Sequence, residues 1–261
     1  INQLGRHIVN SGGKRLRPML VLLTARAAGG DESAAMPAAV ALELVHTFSL
    51  VHDDLPAMDD DAVRRGRPTL HVQAGETMAI LAGDAMTALA FEVLAAANLP
   101  AEIRTGLVAE LAAATGSMIS GQVYDTVGGF PHELSAEQRL AVLHRGKTGA
   151  LFRAACRMGG ICADAGDELM ECLTAYGSAA GLMFQVTDDL IDVEQGMDHA
   201  GKATGKDASA GKLTYPGVHG VSASRDTVER LLITSIEAIE PLGEAGRELR
   251  VLVEDMARRT R

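Results

Sequence analysis

Two aspartate clusters lie far apart in the chain, Asp53-Asp54-Leu-Pro-Ala-Met-Asp59-Asp60-Asp61 and Asp188-Asp189-Leu-Ile-Asp192, and each follows a long apolar run. Carboxylates drawn partly out of water repel one another, and each is costly to bury unless something positive neutralises it. A fold that feeds both clusters into one cavity therefore needs divalent cations there. Ligands that are all oxygen point to Mg²⁺, which keeps several waters and prefers one or two carboxylates together with substrate phosphates. The ligand expected in such a cavity carries a diphosphate. One such cluster alone reads equally well as a solvated acidic helix end, because charge runs are commonly surface features. Its recurrence argues against that reading.

Apolar residues recur at helical spacing almost throughout, as in Val228, Leu231, Leu232, Ile236 and Ile239, or Leu249, Leu252, Val253 and Met256. No segment shows sustained two-residue alternation, so the pattern predicts an all-α fold. Helices are expected over about 18–28, 37–54, 76–97, 101–124, 135–158, 166–194, 224–239 and 244–258. Breaks fall at Gly29-Gly30-Asp31, Leu99-Pro100, Gly128-Gly129-Phe130-Pro131 and the Gly- and Lys-rich stretch from Gly196 to Gly217. The runs from Ala79 to Ala97 and from Tyr176 to Val186 are apolar on nearly every side, which marks central or interface helices. With 261 residues, 47% of them hydrophobic, the chain can bury a sizeable core. Aromatics make up only 3% and Trp is absent, which favours helices packed closely through small side chains. No repeat, low-complexity tail or long linker divides it. One helical-bundle domain over residues 1–261, dimeric, is the expected architecture.

The formal net charge of -10 argues against nucleic acid or an acidic membrane surface as the main partner. Cys156, Cys162 and Cys172 match no zinc spacing and read as reduced, buried thiols of a cytoplasmic protein. No stretch of about 18 apolar residues lacks charge as a membrane span requires, and no basic, apolar leader opens the chain. It begins at Ile1 rather than Met, and further residues upstream are expected.

Helix geometry sharpens the carboxylate reading. Asp188 and Asp192 are four apart and share one face, while Asp189 is turned roughly 100° away. Pro56 supplies no amide to a helical ladder and disfavours helix at Leu55, so the preceding helix should end just after Asp54. Asp59 can then fold back beside Asp53 to clasp ions between two carboxylates.

Phosphate-binding chemistry recurs in two basic motifs. Gly12-Gly13-Lys14-Arg15-Leu16-Arg17-Pro18 sets three cations just before a helix whose first turn tolerates Pro18, although a solvated basic loop would look the same. Arg64-Arg65-Gly66-Arg67-Pro68-Thr69 directly follows the first aspartate cluster, where guanidinium forks suit a diphosphate. A third segment is deceptive. Gly146-Lys147-Thr148 satisfies a relaxed P-loop pattern, but its flank is helical and opens with a capping box on Ser135, which excludes nucleotide binding there. Lys147 and Thr148 instead direct a cation and a hydroxyl into a pocket, or are simply a surface lysine and a core-edge threonine.

Taken together, Gly-Gly-Lys14-Arg15-Leu-Arg17-Pro, Glu43-Leu-Val-His46-Thr-Phe48-Ser-Leu-Val-His52-Asp53-Asp54-Leu-Pro-Ala-Met-Asp59, Arg64-Arg65-Gly-Arg-Pro-Thr, Gly146-Lys147-Thr148-Gly and Phe184-Gln185-Val-Thr-Asp188-Asp189-Leu-Ile-Asp192 make a distinctive set. It resembles the trans-polyprenyl diphosphate synthases, in order and spacing from about residue 10 to 216. The resemblance leads one to expect that the family's first helix is missing or truncated ahead of Ile1. The resemblance implies an all-α bundle around a central cavity, usually a homodimer, that lengthens allylic diphosphates with isopentenyl diphosphate.

The same resemblance assigns roles. It implies that Asp53 and Asp59 bind two Mg²⁺ ions and Asp188 a third, supported by Asp54, Asp189 and Asp192. Arg64, Lys147, Lys202 and Lys212 would hold the allylic diphosphate. Lys14, Arg17, His46 and Arg65 would hold isopentenyl diphosphate without metal, although His46 could otherwise be a satisfied core histidine. His52 reads as structural. Ionisation of the allylic carbon-oxygen bond would rest on Mg²⁺ and the cationic side chains, with Thr148 and the Gln185 amide offering partial negative charge to the carbocation. A terpene cyclase would share the aspartate-rich cavity but would have no use for the Lys14 to Arg17 anchor. A silent partner subunit would have lost an aspartate cluster or the arginine pair. Phe48 and Ser49 lie on the turn before Asp53, where an aromatic ring would block a lengthening tail. That position, with the Asp-Asp-x-x-x-x-Asp form, resembles bacterial farnesyl diphosphate synthases and predicts mainly a C15 product, with C20 as the alternative.

Overall fold

The computed structural model of the chain describes residues 12–198 and 213–259, which are overwhelmingly helical. The first half holds α1 (Leu16–Ala27), α2 (Glu32–Asp53), a hairpin of β1 (Val63–Arg64) and β2 (Arg67–Pro68), α3 (Leu70–Ala74), α4 (Glu76–Ala95) and α5 (Ala101–Thr126). Then come α6 (Ala136–His144), a π-helical turn (Arg145–Gly149), α7 (Ala150–Cys162), α8 (Asp167–Asp198), α9 (Tyr215–His219) and α10 (Val221–Ala238). A 3₁₀ segment (Glu240–Gly246) leads into α11 (Arg247–Ala257). The all-α expectation holds.

Four boundaries differ from the sequence pattern for identifiable reasons. Helix α2 starts at Glu32 rather than near residue 37, because Asp31 caps it by accepting the Ser33 N–H at 3.0 Å. Pro37 forfeits one ladder bond, and burial of Ala35, Ala38 and Ala39 around it helps hold the turn. The expected helix over 135–158 is three pieces end to end, with a π turn in the middle and α7 continuing to Cys162. The Ser135 capping box that opens it has both of its reciprocal bonds. Helix α8 runs on to Asp198, and α9, capped by Thr214, lies inside the expected Gly- and Lys-rich break. The β1–β2 hairpin has strands too short to show alternation. At its tip Arg65 and Gly66 take φ of 53° and 73°, the left-handed pair that a type I′ turn requires.

Packing explains which faces are apolar. Helix α7 is the most enclosed, with Leu151, Phe152, Ala155, Cys156 and Met158 all at 1% exposure or less. It packs against α1, α5 and α8, and α8 in turn carries α10. The Tyr176 hydroxyl, fully buried on α8, donates to the Leu249 carbonyl at 2.8 Å and fastens α11 to the core. Helix α4 is different. It packs on α2 along one side only, and Ile80, Leu81 and Leu89 on its other side are exposed. Of the two all-round apolar runs, the one at Tyr176 is central and the one on α4 has an open apolar face.

Helices α2 and α4 are each long and apolar enough to cross a bilayer by length and composition, contrary to the expectation that no such stretch exists. Length and hydropathy do not establish a span, and a core helix packed like α2 passes the same test. Cys156, Cys162 and Cys172 are free thiols, and burial raises those of Cys156 and Cys162 above their ordinary value.

Candidate active site

A cavity of about 1040 Å³ lies between α2, α5, the π turn and α8, and both aspartate clusters reach it, through Asp53 and Asp188. Asp53 ends α2 as Pro56 dictates. The chain then turns back until the Asp59 N–H donates to the Asp53 carbonyl at 2.8 Å, which sets Asp59, itself exposed, beside Asp53. Burial raises the Asp53 carboxyl to about 6, against the pull of the Lys147 ammonium and with repulsion from Asp59 added. Gln122 of α5 donates to the same carboxylate. Across the cavity, burial also raises Asp188, opposed chiefly by Arg259, whose guanidinium donates to it at 2.8 Å while lying 4.5 Å over the Phe184 ring.

The supporting aspartates separate by environment. Asp54 is buried and accepts from Arg64 Nε at 2.6 Å, so the guanidinium that lines the cavity is fixed at its base. Asp189 is buried at 3% exposure, turned away from Asp188 as the helical angle predicts. It accepts the Gln185 amide at 2.8 Å and the Tyr215 N–H at 2.8 Å. Asp192 is half-buried and outside the cavity lining.

A cationic group gathers at the start of α1. Lys14, Arg17, His46 and Arg65 all line the cavity. Arg17 Nη1 lies 3.3 Å from His46 Nε2 and its guanidinium 4.9 Å over the Phe152 ring. Burial lowers Arg17 to about 10, and burial with the neighbouring guanidiniums pushes His46 far below its ordinary value. The imidazole is therefore neutral, and Nε2 can accept from Arg17. Arg65 donates to the Gly12 carbonyl, joining the hairpin to the Gly12-Gly13 loop. An added Cβ at Gly13 would meet that guanidinium, so a side chain there would displace it.

The π turn presents Lys147 and Thr148 to the same space. Lys147 pairs with Asp125 of α5, and Thr148 donates to Gln185 Oε1. Extra residues of this kind inside a helix recur at functional sites, where they re-aim side chains. Phe48 and Ser49 line the cavity on the turn before Asp53. Of the α2 residues earlier than Phe48, only Glu43 and His46 line it, and both face the cationic group. His52 bonds the Ile80 carbonyl at 3.1 Å and its ring covers Gly83. Lys202 and Lys212 lie outside the described residues.

Four contributors were not anticipated. Gln122 and Asp125, three apart on an otherwise apolar face of α5, left a signal in their polarity. The terminal Arg258-Arg259 pair left a weaker one. The Tyr215 N–H left none, since a backbone donor has no sequence signature.

The donor set fits Mg²⁺. Among the described residues no three His, Cys, Asp or Glu side chains converge closely enough to hold an ion unaided. Mg²⁺ asks for less, one or two carboxylates with phosphate oxygens completing the shell. Asp53 and Asp188 are partly desolvated carboxylates of that sort, with Lys147 acting on the first and Arg259 on the second.

Comparison with known proteins agrees with this geometry. A polyprenyl synthetase family model matches residues 1–245. The chain is 44% identical to geranylgeranyl pyrophosphate synthase 10 of Arabidopsis thaliana, over 93% of this chain and 71% of that protein. It is 39% identical to farnesyl diphosphate synthase of Micrococcus luteus, over 94% and 84% of the two chains. A geranyltransferase from Helicobacter pylori, solved with magnesium and isoprenyl diphosphate, superposes with a TM-score of 0.81 at 35% identity, over 96% of this chain and 84% of that one. The chain belongs to the polyprenyl synthetase family and is a short-chain trans-prenyltransferase of the farnesyl and geranylgeranyl diphosphate synthase kind.

Proposed function

We propose that this protein condenses isopentenyl diphosphate with dimethylallyl and geranyl diphosphate to give mainly farnesyl diphosphate, as a cytoplasmic homodimer using three Mg²⁺ ions. The observation that carries the reading is one cavity lined by two unlike groups: the carboxylates Asp53 and Asp188, and the cations Lys14, Arg17 and Arg65, beside which lie Glu43 and, close enough to act on Lys14 and Arg17, Asp188. Asp53, Asp59 and Asp188 would hold the ions, which when bound supply positive charge to the departing diphosphate. Arg64 and Lys147, with Lys202 and Lys212, hold the allylic diphosphate from the protein side. Lys14, Arg17, His46 and Arg65 hold isopentenyl diphosphate, with its double bond directed at the allylic carbon. Thr148 and Gln185 face the cationic carbon with oxygen, and the apolar wall excludes water. Holding both substrates in one orientation can supply roughly 7 to 11 kcal/mol of the barrier. A terpene cyclase would have no second diphosphate for the Arg17 group.

Homodimer formation is supported by the outward apolar side chains of α4, Ile80, Leu81 and Leu89. Faces of this kind on a monomer mark contact with another protein. The three free thiols suit a reducing compartment. The C15 product rests on Phe48, 7% exposed at the cavity wall, with no earlier α2 residue lining the tail side. A C20 product is the second reading, favoured by the 44% identity to a protein named as a geranylgeranyl pyrophosphate synthase.

Product sizing after incubation with isopentenyl diphosphate, Mg²⁺ and dimethylallyl, geranyl or farnesyl diphosphate tests the reading. C15 should accumulate from the first two, with farnesyl diphosphate extended poorly. Phe48→Ala should shift the distribution to C20 or longer. A wild type that already makes C20, with a Phe48→Ala variant making the same chain, would show that Phe48 is only a core residue.

A further inference from the structure

The proposed role of Gln185 depends on which end of its amide faces the cavity, and an amide can present either an oxygen or an NH₂ group. Nothing in Gln185 itself decides this. Its Nε2 donates to Asp189 Oδ1 at 2.8 Å, and its Oε1 is left facing Thr148, which donates to it. The second oxygen of Asp189 is occupied by the Tyr215 N–H at 2.8 Å, with His144 Nε2 at 3.5 Å. The backbone donor holds one oxygen as an acceptor, and a carboxylate without a proton offers Gln185 only an acceptor at the other, so the amide has one satisfied orientation. Asp189 is also buried at 3% exposure, where an unmatched donor would be costly. It is absent from the cavity lining, whereas Asp188 beside it is present.

We infer that Asp189 is a positioning residue for the prenyl transfer rather than a support for metal: it locks the Gln185 amide with its carbonyl oxygen toward the reacting carbon. This rests on the prenyltransferase reading above. The partial negative charge then faces the allylic cation before it forms, which is where electrostatic stabilisation without reorganisation is strongest. Polar links from α9, through Asp189, and from the π turn, through Thr148, thereby both act on the Gln185 amide.

Exchanging carboxylate and amide between the two positions tests this, and the double variant conserves the net charge. In D189N the new amide oxygen still serves the Tyr215 N–H, so its NH₂ group faces Gln185. The Gln185 amide must flip to accept from it, and an NH₂ group then faces the cavity. The expected loss in kcat is about 100-fold, in line with removal of one well-placed electrostatic group, with both Michaelis constants and the Mg²⁺ concentration for half-maximal rate near those of wild type. In Q185E two carboxylates would face each other, and activity should again be low. The double variant D189N/Q185E restores both features, because the new NH₂ group donates to one carboxylate oxygen while the other faces Thr148 and the cavity. It should recover at least about tenfold over the poorer single variant, a small part of the effect ascribed to such groups. Circular dichroism and melting curves accompany each assay, and if one single variant fails to fold, the other is compared with the double. Loss in the double as severe as in either single overturns the inference. So does a D189N variant with unchanged kcat, or one whose Mg²⁺ requirement moves with its rate. A wild type unable to condense the substrates would instead defeat the prenyltransferase reading itself.

Discussion

At the scale of single residues, the first aspartate cluster was the most legible part of the chain. Pro56 forces the end of α2, and the return of the Asp59 N–H to the Asp53 carbonyl is the geometry that the spacing allows. The electrostatic consequence was not legible, because it depends on Gln122, Lys147 and Asp125 arriving from other helices. It leads to a prediction for the metal-free protein. An aspartate in the unfolded chain titrates near 3.8, and Asp53 in the fold near 6. Between those values the folded state binds more protons than the unfolded, so stability falls as pH rises through the window and the penalty is complete above about 6. Asp53→Asn keeps an acceptor for Gln122 and removes the charge. Melting curves should place this variant above wild type at about pH 7, with the gap shrinking as pH falls toward about 4. A gap that widens on acidification would mean that Asp53 is stabilised as an anion by its cationic neighbours. Mg²⁺ with a diphosphate should reverse the order at neutral pH, since ligands that bind only the folded state stabilise it.

At the scale of elements, helix content and most breaks could be read from periodicity, Gly-Gly pairs and Pro100, because those signals act locally. The π turn could not. It exists where Gly146 and Gly121 let the turn and α5 approach closely, and no local pattern records a contact between segments so far apart. A Cβ added at Gly121 would sit against the Lys147 amide and within 2.8 Å of the Gly146 carbonyl carbon. Backbone cannot yield there as a flexible side chain would. Gly121→Ala should therefore lower stability by about 1 to 3 kcal/mol, as overpacking does. It should also reduce kcat by displacing Lys147 and Thr148 together. Melting temperature and turnover measured on the same preparation check both. Unchanged values would show that the π turn tolerates displacement without effect on the site. The β1–β2 hairpin was missed for another reason, since two-residue strands carry no alternation, and its Arg65-Gly66 tip was read as charge rather than as turn chemistry.

At the scale of the whole molecule, the fold does one thing the sequence only hinted at: it brings residues from the start of α1, the end of α2, α5, the π turn and α8 to a single cavity. The hint was chemical, in that two acidic clusters and two basic motifs make little sense except around a shared polyanion. The apolar runs of α4 and α8 were marked by composition, but composition could not distinguish the central helix from the one with an open side. In the proposed reaction Asp53 and Asp188, remote in sequence, act together in that cavity. The most direct measurement is condensation of isopentenyl with geranyl diphosphate by Asp53→Ala and by Asp188→Ala at saturating Mg²⁺, each first shown to be folded. Both variants are predicted to lose at least about 100-fold in kcat, the scale expected for charge stabilisation removed from a reacting centre. Either variant turning over at the wild-type rate would contradict the claim that the two clusters share one active site.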